Sequence, residues 1–204
     1  GAGKTTMLHA ATINLDQQQR PVLGFAPTAK AARVLETESG MRSDTVAKLL
    51  HDLRHRPAGF EPPAAGTTIV IDEAGMLNTA DLHQLINHTD HFGWRLALVG
   101  DPHQLHAVGR GGMFDELCAT GLTIELDQLH RFTHDWEAAA TLQLRRGDPS
   151  VLNTYAEHKA IIAGTFDEHL AGVVNEWRWH QTMNTTLAIT TTRNDDVHTI
   201  NNAI

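Results

Sequence analysis

The chain has 204 residues, 41% hydrophobic and 20% charged, the composition of a soluble, globular protein with a core of useful size. Its net charge of −8 excludes a protein that coats nucleic acid through a general basic field. Its apolar runs, such as "TTIVI" and "LALV", are too short to span a bilayer, and the single Cys118 allows no internal disulfide, in keeping with a reducing cytoplasm.

The first residues, "GAGKTT", end the phosphate-loop pattern G-x-x-x-x-G-K-[ST], with Gly3-Lys4-Thr5 as its close. The following "TTMLHAATINLDQQ" has no Pro or Gly and predicts a helix, whose start turns backbone N–H groups and a positive dipole end toward a phosphate. "PVLGFAPT" reads as a buried strand stopped by Pro27, and "AKAARVLETESG" as an Ala-rich helix closed by Gly40. "SDTVAKLLHDLRHR" predicts a helix capped by Ser43 or Asp44, with Val46, Leu49, Leu50 and Leu53 at helical spacing. "RPAGFEPPAAG" is a loop by composition.

Further on, "TTIVIDEAG" is a second buried strand, "TADLHQLINHT" a helix and "RLALVGD" a third strand. The Gly-rich loop "HAVGRGG", a helix near "MFDELCATG" and a strand near "TIELDQL" follow. "DWEAAATLQLRRGDPS" runs from helix into turn, residues 151–180 are mainly helical, "TTLAITTT" resembles a last strand and "NDDVHTINNAI" the start of a helix. Apolar strands alternating with helices indicate an α/β fold with a mainly parallel sheet covered on both faces.

One helix start and two strand ends carry chemistry. Lys4 would neutralise the β- and γ-phosphates of a bound ATP, and the Thr5 hydroxyl would ligate Mg²⁺. Asp72 stands at the carboxyl end of "TTIVI", where open α/β sheets bind ligands, and its carboxylate suits the shell of a hard cation. Glu73 beside it can orient or deprotonate an attacking water. In "GDPHQL", Asp101 and Gln104 end the third strand, and a neutral Gln near the γ-phosphate can report hydrolysis to the loop that follows. His51 and His55, like His130 and His134, stand four residues apart, but no cysteine or carboxylate completes a metal set around either pair.

Charge is uneven. Residues 1–60 hold 8 Lys and Arg against 5 Asp and Glu, whereas the remainder holds 8 against 19. A local basic surface on an acidic body suits a protein that grips one strand in a groove, although solvated helix faces would give the same balance.

In order and spacing, "GAGKTT", "APTAKAA", "IVIDEAGML", "GDPHQLHAVGRGGMF" and "LHRF" resemble a superfamily 1 DNA helicase of the RecD-like branch, most of all the helicase part of the large conjugative relaxases of bacterial plasmids. The resemblance covers residues 1–150 well and the rest more loosely. It implies a RecA-like P-loop NTPase that uses ATP and Mg²⁺ and translocates on single-stranded DNA in the 5′ to 3′ direction. Gly1, Ala2, Gly3, Lys4, Thr5 and Thr6 would be the remnant of the phosphate loop, Asp72 and Glu73 the metal-and-water pair, and Gln104 the γ-phosphate sensor. Arg131 in "LHRF" would reach the γ-phosphate when two motor domains close, and Thr28, Lys30 and Thr45 would contact the DNA strand.

The resemblance also implies a division: residues 1–150 as a first motor domain without its first strand, 151–182 as a helical connection, and 183–204 as the start of a second RecA-like domain. The parent would be longer, supplying the second motor domain and, in a relaxase, a nicking domain. A non-hydrolysing nucleotide-dependent DNA-binding module, a repair or recombination helicase and a small-molecule P-loop kinase are the competing readings. The "GDPHQL" stretch counts against the kinase.

Overall fold

Short apolar runs bounded by Pro, Gly or carboxylates become strands in the computed structural model, and the Ala- and Leu-rich stretches between them become helices. The structure describes residues 3–104, 111–126, 132 and 134–204. Four strands, β1 (Val22–Ala26), β2 (Ser43–Thr45), β3 (Thr68–Ile71) and β4 (Arg95–Leu98), form one sheet in the order β2-β1-β3-β4, every pairing parallel. Parallel neighbours need crossover connections. Here α1 (Lys4–Gln17) precedes the sheet, while α2 (Ala29–Ser39), α3 (Val46–His55) and α4 (Thr79–Phe92) link its strands. After β4 come α5 (Met113–Ala119), α6 (Asp135–Arg145), α7 (Val151–Glu157), α8 (Phe166–Thr182) and α9 (Asn194–Ala203).

Strand side chains alternate in direction, and β3 is apolar at every position after Thr68, so it feeds two cores. Ile69 and Ile71 pack with Phe25, Val46, Leu50 and Leu85 on one face, and Val70 packs with Leu8, Leu35 and Met41 on the other. This two-sided burial is the pattern expected of a parallel sheet between helical layers. Among the described residues, no helix is long and apolar enough to cross a membrane.

The chain folds as two compact units, Gly1–Ala138 and Ala139–Ile204. The first contains the sheet. The second holds most of α6 with α7 to α9; a Thr141–Tyr155 hydroxyl pair at 3.3 Å ties α6 to α7, and α8 carries no buried residue.

Three local expectations change. The residues from Ser43 to Thr45 are a short strand, and the cap of α3 is Thr45, whose hydroxyl oxygen accepts from the Lys48 N–H at 3.1 Å. Pairing of Ala26 with Thr45 draws the chain into the sheet before the helix begins. The strand expected near "TIELDQL" is absent over residues 122–126, where Leu122 and Ile124 are almost fully exposed; residues 127–129 lie outside those described. "TTLAITTT" is likewise not a strand. β-prone residues make a strand only when a neighbour supplies the ladder of hydrogen bonds, and among the described residues neither segment has one.

Gly24 lies mid-strand on β1, where an added Cβ would come within 2.5 Å of Ser43 Oγ, 2.8 Å of Leu35 Cδ2 and 2.9 Å of Met41 Sδ. The missing side chain lets α2 and β2 close on β1. Gly24→Ala should therefore cost roughly 1–3 kcal/mol by overpacking, read as a lower urea midpoint at unchanged slope. An unchanged midpoint would mean that the three side chains step aside freely.

Candidate active site

The carboxyl ends of β1 and β3 meet through continued backbone pairing. The Asp72 N–H donates to the Phe25 carbonyl at 2.9 Å, and on the other side Val99 N–H donates to Ile71 and Ala74 N–H to Val99, at 2.8 and 2.9 Å. The ladder thus grips the chain on both sides of Asp72-Glu73. Between these grips Glu73 takes a left-handed conformation, φ 51° and ψ 42°, which costs a non-glycine residue roughly 1–2 kcal/mol. In an extended strand consecutive side chains point to opposite faces; the kink at Glu73 breaks that alternation, and both carboxylates line one cleft.

That cleft, about 630 Å³, is also lined by Gly3, Lys4, Thr5 and Thr6 at the start of α1. Lys4 Nζ donates to Glu73 Oε1 at 3.2 Å, an ion pair between residues 69 positions apart, both partly exposed. Gly3 caps α1 in a left-handed conformation and gives no side-chain bond to the helix, so the first N–H groups of α1 are not capped from within.

Asp72 has a distinct environment. Its Oδ1 is buried with no hydrogen-bond partner. Burial pushes its carboxyl above the usual range; the backbone N–H of Glu73 and the charge of Lys4 pull it down, and the charges of Glu73 and Glu38 push it up. An orphaned buried carboxylate oxygen in a cleft that Thr5 also lines fits a hard divalent cation, which takes oxygen ligands and keeps several waters. The described His, Cys, Asp and Glu residues form no group of three able to hold a metal unaided, so further ligands would have to come from phosphate and water. His51 and His55 stack ring on ring at 4.3 Å and are not part of such a group.

Gly3, Lys4, Thr5, Thr6, Asp72 and Glu73 are therefore brought together. Gln104 is exposed and lies outside the cleft lining; its Nε2 donates to Asp101 Oδ2 at 3.4 Å, in a turn where His103 N–H also donates to Asp101 Oδ1 at 3.0 Å. Gly100 permits this turn to approach the chain after Glu73, since a Cβ there would meet the Phe114 ring at 3.1 Å and Ala74 N at 3.2 Å. Gly1, Ala2 and Arg131 lie outside the described residues.

Thr28 and Thr45 cap neighbouring helices at the same edge of the sheet. Each hydroxyl oxygen accepts from the third residue on, Thr28 from Ala31 N–H and Thr45 from Lys48 N–H, both at 3.1 Å. Because the caps use the oxygens as acceptors, both hydroxyl hydrogens remain for an outside acceptor. Lys30 is exposed on the first turn of α2. The residue that motif reading missed is Glu38, in the last turn of α2, which lines the cleft with Val34 and Leu35. Its one sequence signal was a carboxylate at the end of a helix where the dipole disfavours it.

The sequence profile of the AAA domain family matches residues 1–165; the chain belongs to that family. It is 31% identical over 198 residues to the probable conjugal transfer protein TraA of Sinorhizobium fredii, and 30% identical over 205 residues to the conjugal transfer protein TraA of Rhizobium radiobacter. Those alignments take in 96% and 98% of this chain. It is 33% identical over 135 residues, 64% of the chain, to the ATP-dependent RecD2 DNA helicase of Deinococcus radiodurans. The chain spans only 18% of the length of each of these curated relatives.

The raised carboxyl of Asp72 has a thermodynamic sign. The folded state holds that proton more tightly than the unfolded chain, so the stabilising contribution is present below the ordinary carboxylate pKa and is lost as pH rises through the raised one. Asp72→Asn removes the buried charge. It should melt a few degrees higher than the unaltered chain at neutral pH, with the gain vanishing as pH falls below the ordinary Asp range. Equal melting points at neutral pH would show that this burial costs nothing.

Proposed function

We propose that the chain is the nucleotide-binding part of a motor that hydrolyses ATP and moves along single-stranded DNA, 5′ to 3′, within a longer protein of conjugative DNA transfer working in the cytoplasm. The observation that carries this reading is the cleft in which Lys4 and Glu73 pair beside the buried, unpartnered Oδ1 of Asp72. The likeness to TraA proteins over nearly the whole chain, against 64% of it for RecD2, favours a conjugative parent over a repair helicase.

In this reading Lys4 leaves Glu73 for the β- and γ-phosphate oxygens, and the uncapped N–H groups at the start of α1 add to their hold. Thr5 and Asp72 would hold Mg²⁺, which when bound draws charge from the phosphate oxygens. Released from Lys4, Glu73 takes a proton from the attacking water. Gln104 senses the γ-phosphate, and Arg131 stabilises charge developing on it. Thr28 and Thr45 donate their hydroxyl hydrogens to phosphates of the DNA strand, and Lys30 adds a positive charge.

The test is steady-state ATP hydrolysis by the full natural protein, with and without single-stranded DNA. DNA-stimulated turnover is expected; a protein that binds ATP without turning it over in the presence of DNA overturns the motor reading. Glu73→Gln should lower kcat by about 10²- to 10⁴-fold while ATP affinity stays level or rises, because the substitution also releases Lys4. Unchanged turnover would remove Glu73 from the water-activating role.

The two roles of Thr45 can be separated. Thr45→Ala loses the cap and should cost about 1 kcal/mol of stability. Thr45→Asp keeps a capping oxygen but sets a negative charge against the strand, and should weaken single-stranded DNA binding by about tenfold at low salt without a loss of melting temperature. Unaltered DNA affinity in Thr45→Asp would leave Thr45 a cap only.

A further inference from the structure

Glu38 is a carboxylate out of place. It sits in the last turn of α2, one residue before the helix ends at Ser39, where unpaired backbone carbonyls already give a negative dipole end. It is exposed, and it has no hydrogen bond or ion pair among the described residues. Nothing in the packing of α2 calls for it: Ala32, Leu35 and Ser39 form the buried side of the helix. Its position gives it another setting, because it lines the same cleft as Lys4, Thr5, Asp72 and Glu73 and is close enough for its charge to act on the Asp72 carboxyl.

The cleft therefore presents three carboxylates and one ammonium, and the ammonium is already engaged with Glu73. A bare nucleoside triphosphate is a polyanion and meets like charge on that wall. The same nucleotide carrying a divalent cation brings positive charge to the place where the carboxylates converge. Glu38 does not complete a group of three acids able to hold a metal unaided, so its effect is exerted through space and through the waters that Mg²⁺ retains.

We propose that Glu38 is a specificity-determining residue of the cleft, whose fixed negative charge makes it accept the divalent-metal complex of a nucleoside triphosphate and reject the metal-free polyphosphate. The proposal rests on the nucleotide-binding reading of the cleft, and the test keeps the two apart. Equilibrium binding of a fluorescent, non-hydrolysable ATP analogue to the full natural protein is measured from excess chelator up to saturating Mg²⁺. Glu38→Gln should raise the half-saturating Mg²⁺ concentration about three- to tenfold and tighten chelator-phase binding by a similar factor. Glu38→Lys should move both further in the same directions.

Neither variant threatens the fold. Removing a negative charge from the C-terminal turn of α2 should leave the melting temperature level or slightly higher, so a changed metal dependence cannot be ascribed to unfolding. If both variants match the unaltered protein in chelator and in Mg²⁺, the role of Glu38 is overturned while the nucleotide reading stands. If the unaltered protein binds the analogue in neither condition, the nucleotide reading itself falls and takes this inference with it. A loss of binding in Glu38→Gln under both conditions also overturns the proposal, since it would mark a direct contact with the nucleotide.

Discussion

The parallel register of β1, β3 and β4 is the constraint on which the site depends. Leu23 lies opposite Ile69 and Ile71 opposite Leu98, and beyond the last paired residues the backbone of Asp72 and Ala74 is still held by Phe25 and Val99. A slip of one residue would exchange the two faces of β3, sending Val70 toward α3 and α4 and Ile69 and Ile71 toward α1 and α2. The same slip would carry Asp72 out of the cleft. Packing and chemistry are thus set by one register, and the apolar alternation of β3 fixes it more firmly than the carboxylates could.

Given that register, the remaining parts of the site are local. Asp72 is held by Phe25 on one side and Ala74 by Val99 on the other, so the turn that aims Glu73 must be made in one residue, and it is made at the cost of a left-handed backbone. Lys4 then bridges the start of α1 to the end of β3, joining two pieces of chain that the sheet does not connect by hydrogen bonds. At the adjoining ends of β1 and β2, Thr28 and Thr45 each begin a helix. A parallel sheet necessarily gathers its helix starts at this edge, which is why nucleotide-like and phosphate-like contacts can be built side by side from neighbouring connections.

Much of this was legible in the sequence because the signals were local. "TTIVIDEAG" carries both a two-sided strand and its terminal acids, and "AKAARVLETESG" carries a helix and its Gly stop. The short β2 was not legible, since Ser-Asp-Thr before an apolar helix reads equally well as a cap, and only the neighbouring β1 turns it into a strand. "TIELDQL" and "TTLAITTT" failed for the converse reason: strong β preference without a described partner leaves extended chain. The convergence of Glu38 on Asp72 was beyond motif reading, because it depends on how α2 lies against α1 and the sheet, which no spacing in "ETESG" encodes.

The cleft is also where local rules are broken. Five described non-glycine residues have positive φ: Gln19, Arg56, Lys159 and Asn184 each stand at or just after the end of a helix, and Glu73 alone follows a strand. A left-handed residue is the ordinary way to end a helix, so the first four are stops, whereas Glu73 is a strain with no such use. Asp72 adds a buried carboxylate oxygen without a partner, and Glu38 adds a negative charge at the negative end of a helix. Three unrelated costs, one of backbone geometry, one of solvation and one of charge, fall on residues that line a single cleft. Elsewhere in the first unit Arg20 Nε and Thr68 Oγ1 are also buried without a partner, but the helix ends follow local preference, with Thr28, Thr45 and Asn78 capping their helices and Gly40 and Gly93 ending theirs. Costs that packing would remove are kept where a ligand can offset them. A polyphosphate with its cation would offset two of the three, since the cation answers the buried oxygen of Asp72 and the charge of Glu38, while the left-handed backbone of Glu73 is retained because it aims that carboxylate into the cleft.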